Sequence, residues 1–202
     1  MPSHPEPRVA GLVLAAGASR RLGRPKQLLA YRGGALLDAA LGTARSSGFD
    51  QVILALGGAA DEVREVVDTS GFDLVDNRQF NEGCSSSIAA SLSALHPDID
   101  VLVLLLGDQP GVTSETVRLL VEGRSDHDIA VCRYDDGIGH PFAFTRMMFP
   151  QLAALHGDKG VWRLIEQRAA DVTEVVVPGR IPLDVDTEAD YERVLAEQES
   201  VR

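Results

Sequence analysis

Six consecutive apolar residues, Val101-Leu102-Val103-Leu104-Leu105-Leu106, do most to limit the folds open to this chain of 202 residues. A strand with one face in water alternates apolar and polar side chains, because successive residues point to opposite sides. An unbroken apolar run leaves no face for water and belongs in the middle of a sheet covered on both sides. Further strands are expected at Val9–Leu14, Gln51–Leu56, Phe72–Val75, Asp128–Arg133 and Val172–Val177. Helical patterns fall between them, at Leu36–Ser46, Ala60–Asp68, Ser85–Leu95, Ser114–Glu122, Arg146–Leu155, Val161–Arg168 and Glu188–Glu197. Thr113 or Ser114 can cap the fourth of these helices and Thr187 the last. Strands alternating with helices specify an α/β domain with a mostly parallel sheet and helices on both faces. The length suits one such domain over residues 8–202, with the proline-rich residues 1–7 as a disordered tail.

Open α/β sheets bind ligands outside the carboxyl ends of their strands. After the first expected strand come Leu14-Ala15-Ala16-Gly17-Ala18-Ser19-Arg20-Arg21-Leu22-Gly23-Arg24-Pro25-Lys26. Small residues there let backbone N–H groups approach a ligand, and the arginines and lysine add positive charge, so the loop suits an anion. It is neither of two common phosphate loops. The spacing from Gly17 to Gly23 and Lys26 departs from GxxxxGK[ST], and no GxGxxG follows Gly17. Gly57-Gly58 after Leu56 and Gly107-Asp108 after Leu106 also fall at strand ends, so three segments are expected to converge on one crevice.

Charge narrows the partners. The chain carries a net −11, yet its first fifty residues hold seven Lys/Arg against three Asp/Glu. An acidic protein with one basic loop lacks the broad basic surface that a nucleic-acid backbone requires. It suits a small polyphosphate accompanied by a divalent metal. No apolar run approaches the length of a membrane span, and Cys84 and Cys132 form neither a metal spacing nor a disulfide framework, as expected of a cytoplasmic protein. Cys84 falls beside a helix start that is able to lower a thiol pKa, although a bystander thiol is the plainer reading.

Leu-Ala-Ala-Gly-x-Ser-x-Arg-x-Gly-x-Pro-Lys resembles the first motif of the MobA-like nucleotidyltransferases, within them the molybdenum cofactor cytidylyltransferase branch. Asn81-Glu82-Gly83 with Ser85-Ser86-Ser87, Gly107-Asp108-Gln109-Pro110, Gly139-His140-Pro141, Gly157-Asp158-Lys159-Gly160 and Asp184-Val185-Asp186-Thr187 follow in the same order. The resemblance runs from Val9 to Tyr191. It implies a single-domain, mostly parallel Rossmann-like three-layer α/β/α nucleotidyltransferase fold. It also implies transfer of CMP from CTP to the terminal phosphate of molybdopterin, with Mg²⁺ or Mn²⁺ as cofactor and an apo-molybdoenzyme as a further partner. Leu22, a volume-preserving change, Cys84, Ser91 and Val161-Trp162-Arg163 depart from the family pattern, all on the expected acceptor side.

Roles follow residue by residue. Leu14, Ala15, Ala16 and Gly17 are implied as the nucleotide loop, and Ala16, where guanosine-using members of the resembled family carry Gly, tilts the choice toward CTP. Arg21 and Lys26 are implied on the triphosphate. Asp108 is implied as the metal ligand, with Gln109 beside it; from position alone an acid there serves equally as a turn or cap residue. Asp184 and Asp186 alternate along an extended segment and so share a face. They are either further metal ligands or acids placed to favour the following helix. Gly57-Gly58 would flank the base or simply turn the chain. Ser86 would offer a hydroxyl at a helix N-terminus to the second substrate, and His140 a hydrogen bond to it, or else a place in the core.

Overall fold

Residues 6–200 are described by the structure, a computed structural model. The tail expected over residues 1–7 falls mostly outside them; Glu6 and Pro7 are exposed and irregular. In chain order the strands are β1 (Val9–Ala15), β2 (Ala30–Tyr31), β3 (Gly34–Ala35), β4 (Gln51–Leu56), β5 (Asp73–Asp76), β6 (Val101–Leu106), β7 (Ile129–Tyr134), β8 (Gly137–Thr145) and β9 (Val172–Val176). The helices are α1 (Leu36–Ser46), α2 (Ala60–Val66), α3 (Cys84–Leu92), α4 (Ser114–Gly123), α5 (Phe149–Ala153), α6 (Gly160–Gln167) and α7 (Glu188–Ser200). Seven strands form one sheet in the order β5-β4-β1-β6-β8-β7-β9, and β2 pairs with β3 in a separate small hairpin.

The unbroken apolar strands take the centre. β1 lies between β4 and β6, parallel to both, with Leu12 opposite Ile53 on one side and Leu104 on the other. Its residues divide by parity: Val9, Val13 and Ala15 join the core beneath α1 and α4, Ala10 and Leu12 the core beneath α3, α5 and α6. Two apolar layers thus sandwich the sheet, as a mostly parallel sheet requires. The third, smaller cluster packs α7 and Val185 against Leu29, Tyr31 and Leu36.

β8 departs from the expected alternation, for the segment between β7 and α5 reads as irregular with Gly137, Gly139 and Pro141 in it. The structure makes it the sheet's one antiparallel strand, wedged between β6 and β7. The register to β7 jumps from Phe142↔Val131 to Gly139↔Cys132, leaving His140 and Pro141 outside the pairing. A bulge is where a proline, which has no N–H to donate, is tolerated within a sheet. It also frees the His140 side chain from the ladder's regular alternation.

The helix expected over Arg146–Leu155 is a 3₁₀ turn, Arg146–Met148, followed by the five-residue α5 with proline in its first turn. Two expected caps are in place. The Thr113 hydroxyl accepts from the Thr116 N–H of α4. At the start of α7, Thr187 and Asp190 bond reciprocally, the Asp190 carboxylate accepting from the Thr187 N–H (2.9 Å) and the Thr187 hydroxyl from the Asp190 N–H (3.2 Å). The Thr187 hydroxyl, which donates to the same carboxylate at 2.7 Å, does most to hold the Asp190 carboxyl down at about 2, helped by Arg193 and the Thr187 N–H.

Two outcomes test this packing. Phe144, fully buried on β8 between Leu102 and Ile129, should lower unfolding free energy by about 3–5 kcal/mol when changed to Ala, read from urea denaturation. Because the folded Asp190 is depressed, its contribution is present above the ordinary carboxylate range and lost as pH falls toward 2. The melting-temperature gap between wild type and Asp190→Asn should therefore be widest near neutrality and close progressively below pH 4.

Candidate active site

The turn after β1 is built by its own residues. Ser19 adopts a left-handed conformation (φ 49°), and its carbonyl accepts from the N–H groups of Leu22 and Gly23, 3.1 Å each. The Ser19 hydroxyl accepts from the Lys26 N–H at 2.9 Å, which closes the loop onto the start of a 3₁₀ turn. Gln27, 3% exposed, donates its carboxamide N–H groups to the carbonyls of Ala15 (2.6 Å) and Gly17 (3.1 Å). One side chain thereby fixes both ends of the Ala15-Ala16-Gly17 turn.

Asp108 leaves the end of β6, two residues beyond Leu106. Gly107 makes the close approach possible: its N–H donates to the Leu14 carbonyl, and a Cβ there would sit 3.0 Å from Ala15 and from Leu37. The segment before α7 comes alongside through two ties to the same turn. The Val185 N–H donates to the Asp108 carbonyl at 3.1 Å, and the buried Gln109 side chain donates to the Pro182 carbonyl at 2.6 Å. Val185 is fully buried, so Asp184 and Asp186 on either side of it both face the cleft, as their alternation predicts.

The Lys26 ammonium bridges Asp108 and Asp186, 2.9 Å from the latter. Lys26 and Asp108 are 14% and 15% exposed, so this pair is shielded from water. Burial alone would lower the Lys26 pKa, but the two carboxylates outweigh it and raise it. Burial pushes the Asp108 carboxyl up, against the pull of Lys26 and with help from Asp184 and Asp186. Asp186 goes the other way: burial acts upward, but Lys26 and Arg21, whose guanidinium bonds it, hold it low. Oxygens of Asp108, Asp184 and Asp186 lie within 4.8 Å of one another. An all-oxygen donor set with a carboxylate strained by burial fits a hard divalent cation, which takes one or two carboxylates and completes its shell with water and phosphate oxygens.

These groups line one side of a cleft of about 720 Å³. Leu14, Ala15, Ala16, Gly17, Arg21, Lys26, Asp108, Asp184, Asp186 and His140 all line it, so the structure brings together most of the residues picked out in the sequence. Four lie elsewhere. Gly57 and Gly58 sit behind the wall, where Cβ atoms would strike the Ala16 carbonyl (2.3 Å) and the Phe80 ring (3.0 Å). The Ser86 hydroxyl is engaged with Asn77, Gln79 and Gly83 as packing at the start of α3. Gln109 is buried beneath Asp108. Arg20 bonds Asn81 across the cleft, and Arg24 bonds Glu188 at the start of α7.

Gln27, Phe80, Asn81, Ser87, Asp158, Lys159 and Trp162 are also among the lining residues. Asn81, Ser87, Asp158 and Lys159 fall inside recognised segments, whereas nothing marks Gln27 or Phe80 in the sequence. Gly83 (φ 101°) explains how two distant segments meet: a Cβ there would lie 2.7 Å from the Asp158 backbone N, and Asp158 accepts from the Cys84 N–H at 3.0 Å. The helix start does not activate Cys84. Burial, with Asp158 and Asp108 adding to it, pushes the thiol up to about 11. Burial holds the His140 imidazole neutral, down at about 3.

Residues 11–172 match the MobA-like NTP transferase domain. The chain belongs to that family. Among curated proteins it is 36% identical over 172 residues to nicotine blue oxidoreductase of Paenarthrobacter nicotinovorans, covering 80% of this chain and 83% of that one. It is 27% identical over 137 residues to the molybdenum cofactor cytidylyltransferase of Escherichia coli, covering 67% and 69%. Among solved structures, the Rv0371c homolog from Mycobacterium sp. strain JC1 superposes with TM-score 0.90 at 50% identity, over 96% of this chain and 98% of that chain. Rv0371c of Mycobacterium tuberculosis in complex with manganese gives TM-score 0.85 at 46% identity, over 94% and 98%. The fold is the nucleotidyltransferase fold, the enzyme class is nucleotidyl transfer, and the three aspartates form a site able to take a divalent cation.

The shielded thiols give a direct check. Cys84 and Cys132, the latter pushed up to about 12 by burial, should stay unalkylated by iodoacetamide at pH 7 over times that consume free cysteine. Mass spectrometry should find Cys84 modification rising only as pH approaches 11.

Proposed function

We propose that this protein transfers CMP from CTP to the terminal phosphate of molybdopterin, releasing pyrophosphate, with Mg²⁺ or Mn²⁺ as cofactor. The observation that carries the reading is the meeting of Lys26, Asp108, Asp184 and Asp186 at the mouth of the small-residue turn. The Escherichia coli cytidylyltransferase among its relatives, and Ala16 in the turn, support cytidine and a pterin acceptor. The manganese complex of Rv0371c supports the cation.

Nucleotidyl transfer is an in-line displacement at the α-phosphorus, so the site has chiefly to position and to balance charge. The acceptor is a phosphate monoester, already an anion near neutral pH, and no side chain has to remove a proton from it. Two anions must instead be held together against repulsion. Lys26 and Arg21, on the loop beside the turn, meet the triphosphate and the charge that builds on the departing pyrophosphate. A divalent cation on Asp108, with Asp186 and Asp184, supplies Lewis-acid neutralisation of the phosphate oxygens. The Ala15-Ala16-Gly17 turn, fixed by Gln27, places its backbone against the nucleotide. The protein acts in the cytoplasm on this reading, where its thiols remain reduced.

Pyrophosphate release with CTP, GTP, ATP and UTP in turn, plus and minus molybdopterin, tests the reading. The expected result is acceptor-dependent release with CTP alone. Asp108→Ala should reduce that turnover about a hundredfold or more, while a non-catalytic carrier would bind nucleotide and cofactor nearly unchanged by the same substitution. No release with any nucleotide, despite tight cofactor binding, overturns the enzyme reading in favour of the carrier.

A further inference from the structure

Three rings meet in the part of the cleft formed by β8 and the first turn of α6. Phe142 is fully buried, and His140 lies over it with ring centroids 4.0 Å apart and planes tilted by 32°. Trp162 stands across both. Its plane is at 90° to Phe142, centroids 5.0 Å apart, and at 88° to His140, centroids 6.1 Å apart. The result is a right-angled aromatic corner. Phe142 is sealed beneath it, whereas His140 and Trp162 line the cleft, and Trp162 keeps 36% of its surface exposed.

The chemistry around the corner limits what it can hold. His140 is uncharged at neutral pH because it is buried. Asp158 and Lys159 on the lining contribute one charge of each sign. A phosphate gains little in such surroundings, and the cations that would attract one, Arg21 and Lys26, belong to the opposite loop. A flat, uncharged ring gains much more. It can stack on one aromatic face and meet the edge of the other, the two arrangements that ring quadrupoles favour. Asp158, one oxygen of which accepts from the Cys84 N–H, puts a hydrogen-bond acceptor for a ring N–H on the same lining.

We infer that this corner holds the planar, N–H-bearing heterocycle of the acceptor, with its phosphate directed toward Lys26 and Asp108. Trp162 is the residue that selects a flat ring over a sugar or glycerol phosphate. The identity of the acceptor rests on the function proposed above; ring binding does not depend on turnover.

Free pterin, which is fluorescent, serves as the probe, with anisotropy as the readout. Wild-type protein should bind it saturably, and ribose 5-phosphate should not displace it. Trp162→Leu should weaken pterin binding about tenfold or more, the scale of one lost stacking contact, and Trp162→Phe should restore most of it. Binding of CTP with Mn²⁺, measured by calorimetry, should change in neither variant. Wild-type protein that does not bind pterin, or a Leu variant that binds it as tightly as wild type, overturns the inference. So does a Leu variant that loses CTP binding in proportion. Pterin binding that depends on Trp162, in a protein releasing no pyrophosphate with any nucleotide, would leave the corner standing and overturn only the proposed reaction.

Discussion

The bridge from Lys26 to Asp108 and Asp186 is the interaction around which the site is organised, because each partner arrives on a different part of the fold. Lys26 comes from the loop after β1, Asp108 from the end of β6, and Asp186 from the extended segment before α7. β1 and β6 are hydrogen-bonded neighbours, so the first two are brought together by the central register of the sheet. The third depends on the small cluster of Leu29, Tyr31, Leu36, Val185 and Val194. A buried ammonium is costly unless its charge is met. Two carboxylates meet it here, and that need draws the acidic segment over the cleft.

Beneath the charges lie two carboxamides that hold the frame. Gln27 follows Lys26 in the chain and Gln109 follows Asp108, and each points inward to backbone carbonyls while its neighbour points into the cleft. Gln27 joins the lysine's turn to the small-residue turn after β1; Gln109 joins the Asp108 turn to Pro182 and so to the acidic segment. Such groups orient the side chains that stand next to them. Gln109, which the sequence sets beside the implied metal ligand, is buried in the geometry and bonded to backbone.

Elements with an unmixed pattern were legible from the chain. β1 and β6 carry apolar runs that only a doubly covered strand accommodates, and the parity of Asp184, Val185 and Asp186 correctly put both acids on one face. β8 was hidden because glycines and a proline break its alternation, and its bulge makes those residues admissible only once β6 and β7 flank it. The two-residue strands of the β2–β3 hairpin are too short to leave a period. The site was legible where chemistry needs a charge at a strand end. It was illegible where a role depends on which way a side chain turns or how closely two segments approach: Ser86 faces packing, Gly57-Gly58 lie against Ala16 and Phe80, and Ser87 and Phe80 face the cleft.

The resting charge pattern also bears on how a polyanion enters. Arg21, Arg24 and Lys26 are all engaged by acids of the segment from Asp186 to Glu188 or by Asp108. A triphosphate arriving alone would have to take these cations from carboxylates and leave Asp108 and Asp186 facing its own negative charge. A divalent cation arriving alone would meet an ammonium already lodged between the same two carboxylates. Arriving together, the two would exchange partners with the bridge, Asp108 and Asp186 holding the cation and Lys26 the phosphate, so that each of these side chains would keep a partner of opposite charge. Such coupling would be reciprocal by linkage, each ligand lowering the cost of admitting the other. In the empty site each cation of the basic loop already has a carboxylate partner, which is how so acidic a chain keeps that loop poised over three aspartates.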